Sequence, residues 1–142
     1  MVNYLIDTNV ISELQKGARC DRKVSSWYAA VDADQLYLSV IVVGEIRRGV
    51  ERSRRSNPAR AAALENWLAE VRSAMAGRII PVDEDIADEW GRMTAGRSVP
   101  LVDAMLAATA KVRSLTLATR NVADIADLGA AYVNPFAAST GA

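Results

Sequence analysis

The chain opens with a three-residue apolar run, Tyr4-Leu5-Ile6, that stops at Asp7 and passes at once into a helical pattern. A short apolar run bounded in this way reads as a buried strand. A carboxylate at the junction of such a strand and a helix sits on the carboxyl edge of an α/β sheet, the edge where open sheets place their ligands. The same sequence contains no histidine. Its chemistry therefore rests on carboxylates, hydroxyls, amides, basic groups or a metal held by oxygen.

The rest of the chain repeats the alternation. Thr8 or Asn9 can cap a helix running to about Lys16, with Gly17 ending it. A second helix is predicted over 21–30, a strand over 35–39 and a helix over 42–52. Asn57-Pro58 marks a boundary. The helix predicted over 59–76 carries Leu64, Trp67, Leu68, Val71 and Met75 at helical spacing. Residues 78–82 read as a strand, placed at an edge by Pro81, and Asp83 begins another helix. Pro100 suits the first turn of a nearly all-apolar helix over 101–113. Strands follow at 114–118 and 131–133, with a helical turn between them. Strands separated by helices predict an α/β fold: a central, mainly parallel sheet with helices on both faces. Residues 1–136 form one domain on this reading, and 137–142 a flexible tail.

With 51% hydrophobic residues the chain is not disordered. It has no apolar run of the roughly 18 residues that span a membrane, and no basic-then-apolar leader at its start. The lone Cys20 fits a reducing cytoplasm. Seventeen basic and seventeen acidic residues give a formal net charge of zero. Nucleic acid can therefore bind only where the charges separate into patches.

Three acids stand out because apolar sequence surrounds them: Asp7, Glu45 in Val40-Ile41-Val42-Val43-Gly44-Glu45-Ile46, and Asp103 in Leu101-Val102-Asp103-Ala104-Met105-Leu106. An unpaired buried carboxylate costs several kcal/mol. Each has a private solution: Asp7 caps the first helix, Glu45 pairs with Arg48, and Asp103 serves its helix N-terminus. A shared cation accounts for the three together, and oxygen ligands without a Cys/His cluster point to Mg²⁺ or Mn²⁺. Thr119-Arg120-Asn121 follows a second buried strand and should reach the same edge, where Thr119 and Asn121 can orient a water or ligand. Asp124 lies one helical turn further.

Taken in order, these segments resemble the PIN-domain ribonucleases, in particular the VapC and FitB-like toxins of type II toxin–antitoxin modules. Leu5-Ile6-Asp7-Thr8-Asn9-Val10 is similar to the first acidic motif of that family, and the run from Ser39 to Gly49 around Glu45 to the second. The run from Pro100 to Ala110 around Asp103 is similar to the third, and that from Leu117 to Ile125 to the fourth. Val133-Asn134-Pro135-Phe136 resembles the usual ending. The resemblance implies a three-layer α/β/α fold, Mg²⁺- or Mn²⁺-dependent endoribonuclease activity, a cognate VapB/FitA-like antitoxin and a homodimer. It carries the acidic cluster onto Asp7, Glu45 and Asp103, and the polar residue beside the metal onto Thr119, with Thr8 and Asn9. Many relatives have Asp where this chain has Asn121. Either Asp124 supplies the charge or Asn121 serves as a neutral ligand.

Metal-assisted hydrolysis needs no histidine and leaves 5′-phosphate and 3′-hydroxyl ends. Arg48 and Arg52 share a helical side with Glu45 and can hold flanking phosphates. An antitoxin would insert a basic side chain near Asp7 and Asp103. Grooves beside the helices over 21–30 and 59–76, with Trp27 and Trp67, are candidate docking surfaces. A PIN fold that binds RNA without cutting it is the alternative, prompted by Asn121. A receiver-like signalling domain would need a phospho-acceptor Asp on a central strand and a late Lys. A haloacid-dehalogenase-like phosphatase would need Asp where Asn9 stands.

Overall fold

The computed structural model describes residues 1–137. Five strands form one parallel sheet in the order β3-β2-β1-β4-β5. They are β1 (Tyr4–Ile6), β2 (Leu36–Ser39), β3 (Ile79–Ile80), β4 (Thr116–Ala118) and β5 (Tyr132–Val133). Leu5 and Ile6 are both buried although they point to opposite faces. Such continuous apolar strands require cover on both sides, which the helices provide.

Seven α-helices occur among the described residues: α1 (Thr8–Leu14), α2 (Arg22–Ala29), α3 (Val40–Ser56), α4 (Pro58–Ala74), α5 (Glu84–Thr94), α6 (Leu101–Arg113) and α7 (Val122–Ile125). From β1 the chain steps outward through β2 to β3, then returns to place β4 on the other side of β1. Right-handed crossovers in opposite directions deposit their helices on opposite faces. The contacts follow suit: α3 packs with α4, α1 with α2 and α3, while α5 packs with α6 and α6 with α7. The result is a three-layer α/β/α fold. Its topological switch point falls between β1 and β4, whose registers run Tyr4↔Thr116, Leu5↔Leu117 and Ile6↔Ala118.

Local chemistry sets the element ends. Helix α3 begins at Val40, earlier than its apolar spacing suggests, because the buried Ser39 hydroxyl accepts from the Ile41 N–H at 3.0 Å. It also runs on to Ser56. Its last turns are tied to α4 by Arg47, which pairs with Glu51 and Glu65, and by Arg54, which pairs with the same two acids. Asn57 ends α3 and caps α4, accepting from the Arg60 N–H at 3.1 Å, with Pro58 at the first helical position. Helix α1 stops at Leu14, and Gly17 opens a short 3-10 turn instead of ending the helix. Helix α6 keeps its expected bounds. Its buried residues include Ala104, Ala107, Ala108 and Ala110, small side chains that let the helix lie close to the sheet. Beyond Ala137, the expected tail lies outside the described residues.

Helix α6 ends on Ser114, which holds a left-handed conformation (φ 56°, ψ 43°) without being glycine. That conformation costs an L-residue about 1 kcal/mol, part of which glycine returns as unfolded-state entropy. Ser114→Gly is therefore expected to raise stability by about 0.5 kcal/mol, read as a higher urea midpoint at unchanged slope.

Candidate active site

The site is assembled where β1 and β4 end side by side. Asp7 continues the ladder, its N–H donating to the Ala118 carbonyl at 2.9 Å. It then turns its side chain back as the cap of α1. Asp7 Oδ1 accepts from the Thr8 N–H at 2.6 Å, and Oδ2 accepts from the Thr119 hydroxyl at 2.7 Å and from Asn9 Nδ2 at 3.2 Å. Burial pushes the Asp7 carboxyl above its ordinary range against the pull of these bonds, and the charge of Glu45 adds to the rise. The cap expected from Thr8 or Asn9 is thus Asp7 itself. That frees Thr8 to donate its hydroxyl to Glu45, and frees Asn9 Oδ1 to accept from the Arg120 N–H at 3.2 Å.

Glu45 stands on α3, and its hydrogen-bond partner is Thr8, not Arg48. Asp103 lies in the first turn of α6 and is only 8% exposed. Burial raises its carboxyl to about 6, opposed by a hydrogen bond from Asn121 and reinforced by Asp7 and Asp124. Asn121 Nδ2 donates to Asp103 Oδ1 at 3.4 Å, and the Asn121 N–H donates to Thr119 Oγ1 at 3.0 Å. Both Asn121 and Asp124 therefore face Asp103: the first as a donor, the second as a like charge. Thr119, 1% exposed, gives its proton to Asp7 and takes bonds from Asn121 and, at 3.4 Å, from Asn9.

Two facts define what this arrangement can hold. Among the described residues, no ion pair includes Asp7, Glu45, Asp103 or Asp124. Nor does any group of three or more acidic, cysteine or histidine side chains close tightly enough to cage a metal by itself. The acids feel one another without forming a cage: Glu45 acts on Asp7, and Asp7 and Asp124 act on Asp103. An all-protein cage of the calcium type does not fit that pattern. A cation that keeps most of its waters and takes one or two carboxylates does, which is the habit of Mg²⁺ and Mn²⁺. The residues that could hold such an ion are Asp7, Glu45, Asp103 and Asp124.

Arg48 and Arg52 are exposed and form no ion pair among the described residues, unlike Arg47 and Arg54. Neither lines the groove that opens beside Glu45, a cavity of about 590 Å³ bounded by Thr8, Glu45, Gly49 and Trp67. Its cations are Lys16, Arg19 and Arg60. Sequence reasoning missed all three, because they come from a turn and a helix start far apart in the chain. Lys16 is partly spent on Glu13 at 2.8 Å. Of the two candidate docking tryptophans, Trp67 lines this groove. Trp27 packs edge-on against Tyr4, with ring centroids 5.1 Å apart, and serves the core.

Residues 4–129 match the PIN domain model, and the chain belongs to the PIN domain family. It is 36% identical over 140 residues to VapC ribonuclease Y4jK of Sinorhizobium fredii, covering 93% of this chain and 96% of that one. It is 34% identical over 138 residues to toxin FitB of Neisseria gonorrhoeae, covering 93% and 97%. A solved structure of FitAB bound to a DNA fragment superimposes with a TM-score of 0.86 at 31% identity, over 98% of this chain and 99% of that one.

Asp103 has a folded-state carboxyl at about 6, above its unfolded value. Its ionised form is thus a burden on the fold that is present above that pH and relieved as pH falls through it. In EDTA, Asp103→Asn is expected to melt above the parent at pH well over 6, with the gap closing as the pH drops below 5. A gap independent of pH would contradict the assignment.

Proposed function

We propose that this protein is a divalent-metal-dependent endoribonuclease and the toxin of a type II toxin–antitoxin pair. The observation that carries the reading is a set of four acids at the switch point of a PIN fold with no basic partner among the described residues. Membership of the family and likeness to a VapC ribonuclease and to toxin FitB support it.

Asp7 and Asp103 would hold Mg²⁺ or Mn²⁺, with Glu45 and Asp124 completing the negative field. Bound there, the ion supplies a Lewis acid for the scissile phosphate and an acidified water. The chain's own residues do the positioning. The Thr8 N–H, Thr119 and Asn9 hold Asp7 in one rotamer with an accepting lone pair to spare. Thr8 aims Glu45 by donating to one of its oxygens, which leaves the other for water. Asn121 orients Asp103. Arg48 and Arg52, and the basic groove of Lys16, Arg19 and Arg60, bind the phosphates on either side of the cut.

The same unpaired acids are a ready target for an inhibitor's arginine or lysine. That is the role we assign to a small VapB/FitA-like antitoxin, and the matched structure of FitAB supports it. We further assign the protein to the cytoplasm, as a homodimer. No helix among the described residues is long and apolar enough to cross a membrane.

Asp7→Asn keeps the shape of the cap and removes its charge. It is expected to fold, to lose the rise in melting temperature that millimolar Mn²⁺ gives the parent, and to cleave RNA about a hundredfold more slowly or worse. Cleavage by the parent that survives EDTA would remove the metal mechanism. Metal binding without cleavage would instead favour an RNA-binding PIN module with Asn121 at its fourth position. Co-expression with the small open reading frame beside the gene should abolish toxicity and yield a complex. Full toxicity with no co-purification would leave a free-standing nuclease.

A further inference from the structure

The four acids leave one question about the cation beside them. Arg120 sits between Thr119, which holds Asp7, and Asn121, which holds Asp103. Its own N–H donates to Asn9 Oδ1. A mobile guanidinium in that position would be drawn onto the unpaired carboxylates, the partners it binds best. It makes no ion pair with any described acid. Its terminal carbon lies 3.7 Å from the centroid of the Phe136 ring.

The sheet brings this pair together. β4 and β5 run parallel with Ala118 opposite Val133, and the Thr119 N–H donates to the Val133 carbonyl at 3.0 Å. The residues just beyond both strands therefore emerge side by side. The Asn134 side chain accepts from the Phe136 N–H at 3.0 Å, and the ring packs against the core. The platform is thus held independently of the arginine. A guanidinium stacked on an aromatic face keeps its in-plane N–H groups for other acceptors, and a phosphate is the acceptor they fit.

We propose that Phe136 parks the Arg120 guanidinium outside the acidic cluster, so that the arginine contacts an RNA phosphate beside the cluster instead of neutralising it. This rests on the metal-dependent ribonuclease reading above and adds a phosphate contact and its positioning residue. Without the platform, the chain's own arginine becomes an inhibitor of its own site.

Two measurements test it, one free of metal and the other free of RNA. The first is binding of a short fluorescein-labelled single-stranded RNA in EDTA, followed by anisotropy across a salt series. Arg120→Ala, at an exposed position, should weaken binding about fivefold and reduce the salt slope by about one. The second is Mn²⁺ titration without RNA. Phe136→Leu keeps the bulk but removes the π face, so Arg120 should swing onto the acids and weaken Mn²⁺ binding about fivefold to tenfold. The double variant Arg120→Ala/Phe136→Leu should recover parental Mn²⁺ affinity but not RNA affinity, and Phe136→Tyr should match the parent in both. The proposal is overturned if Arg120→Ala binds RNA with the parental affinity and slope. It is equally overturned if Phe136→Leu binds Mn²⁺ as the parent does, or if the double variant stays as weak as Phe136→Leu. A parent that binds no Mn²⁺ overturns the ribonuclease reading along with it, whereas a parent that binds and cleaves, with Phe136→Leu unchanged, removes this inference alone.

Discussion

The Thr119 hydroxyl is the joint on which the site hangs. It donates to Asp7 at the end of β1 and accepts from the Asn121 N–H, whose side chain in turn reaches Asp103 on α6. A buried hydroxyl has one proton and two lone pairs, and here all three are used, the last by Asn9. Because Thr119 is 1% exposed, water does not readily replace a lost partner. Asp7 and Asp103, on different elements, are thus tied to one another through Thr119 and Asn121.

Around that joint the protein spends stability on charge. Asp7 and Asp103 both sit where burial favours their neutral forms, and their like-charged neighbours Glu45 and Asp124 raise them further. Elsewhere the acids behave in the opposite way. Asp83, Glu89 and Glu51 are held below their ordinary range, Glu89 and Glu51 first by a basic partner and Asp83 first by the Ile86 N–H it caps. The fold thus lowers these three acids through donors and raises Asp7 and Asp103 by burial. Carboxyl groups pushed from their normal titration cluster at functional sites.

Much of the architecture was legible locally. The bounds of α6 followed from Pro100 and an apolar run, the edge position of β3 from Pro81, and the switch-point carboxylate from an apolar run broken by Asp7. These are properties of neighbours along the chain, where period and capping suffice. Helix α3 extends past its apolar spacing at both ends because its start depends on the Ser39 cap and its end on Glu65, a residue of the next helix. The hydrogen-bond partner of Glu45 is not legible along the chain for a similar reason. Arg48 is near in sequence and on the same helical side, yet Thr8, 37 residues away, occupies the space in front of the carboxylate.

By itself, then, the sequence determined the alternation of strands and helices, the acids that apolar surroundings make conspicuous, and the exclusion of histidine chemistry. Each is a matter of residue type and short-range spacing. Tertiary structure alone decided which groups meet: Thr8 with Glu45, Thr119 with Asp7, Asn121 and Asp124 both with Asp103, and Arg120 with Phe136. It also drew Lys16, Arg19 and Arg60 into one groove. Those pairings depend on strand order and register, which bring distant segments within hydrogen-bonding reach. Hydrogen bonds act over about 3 Å, a distance that no pattern along the chain can specify.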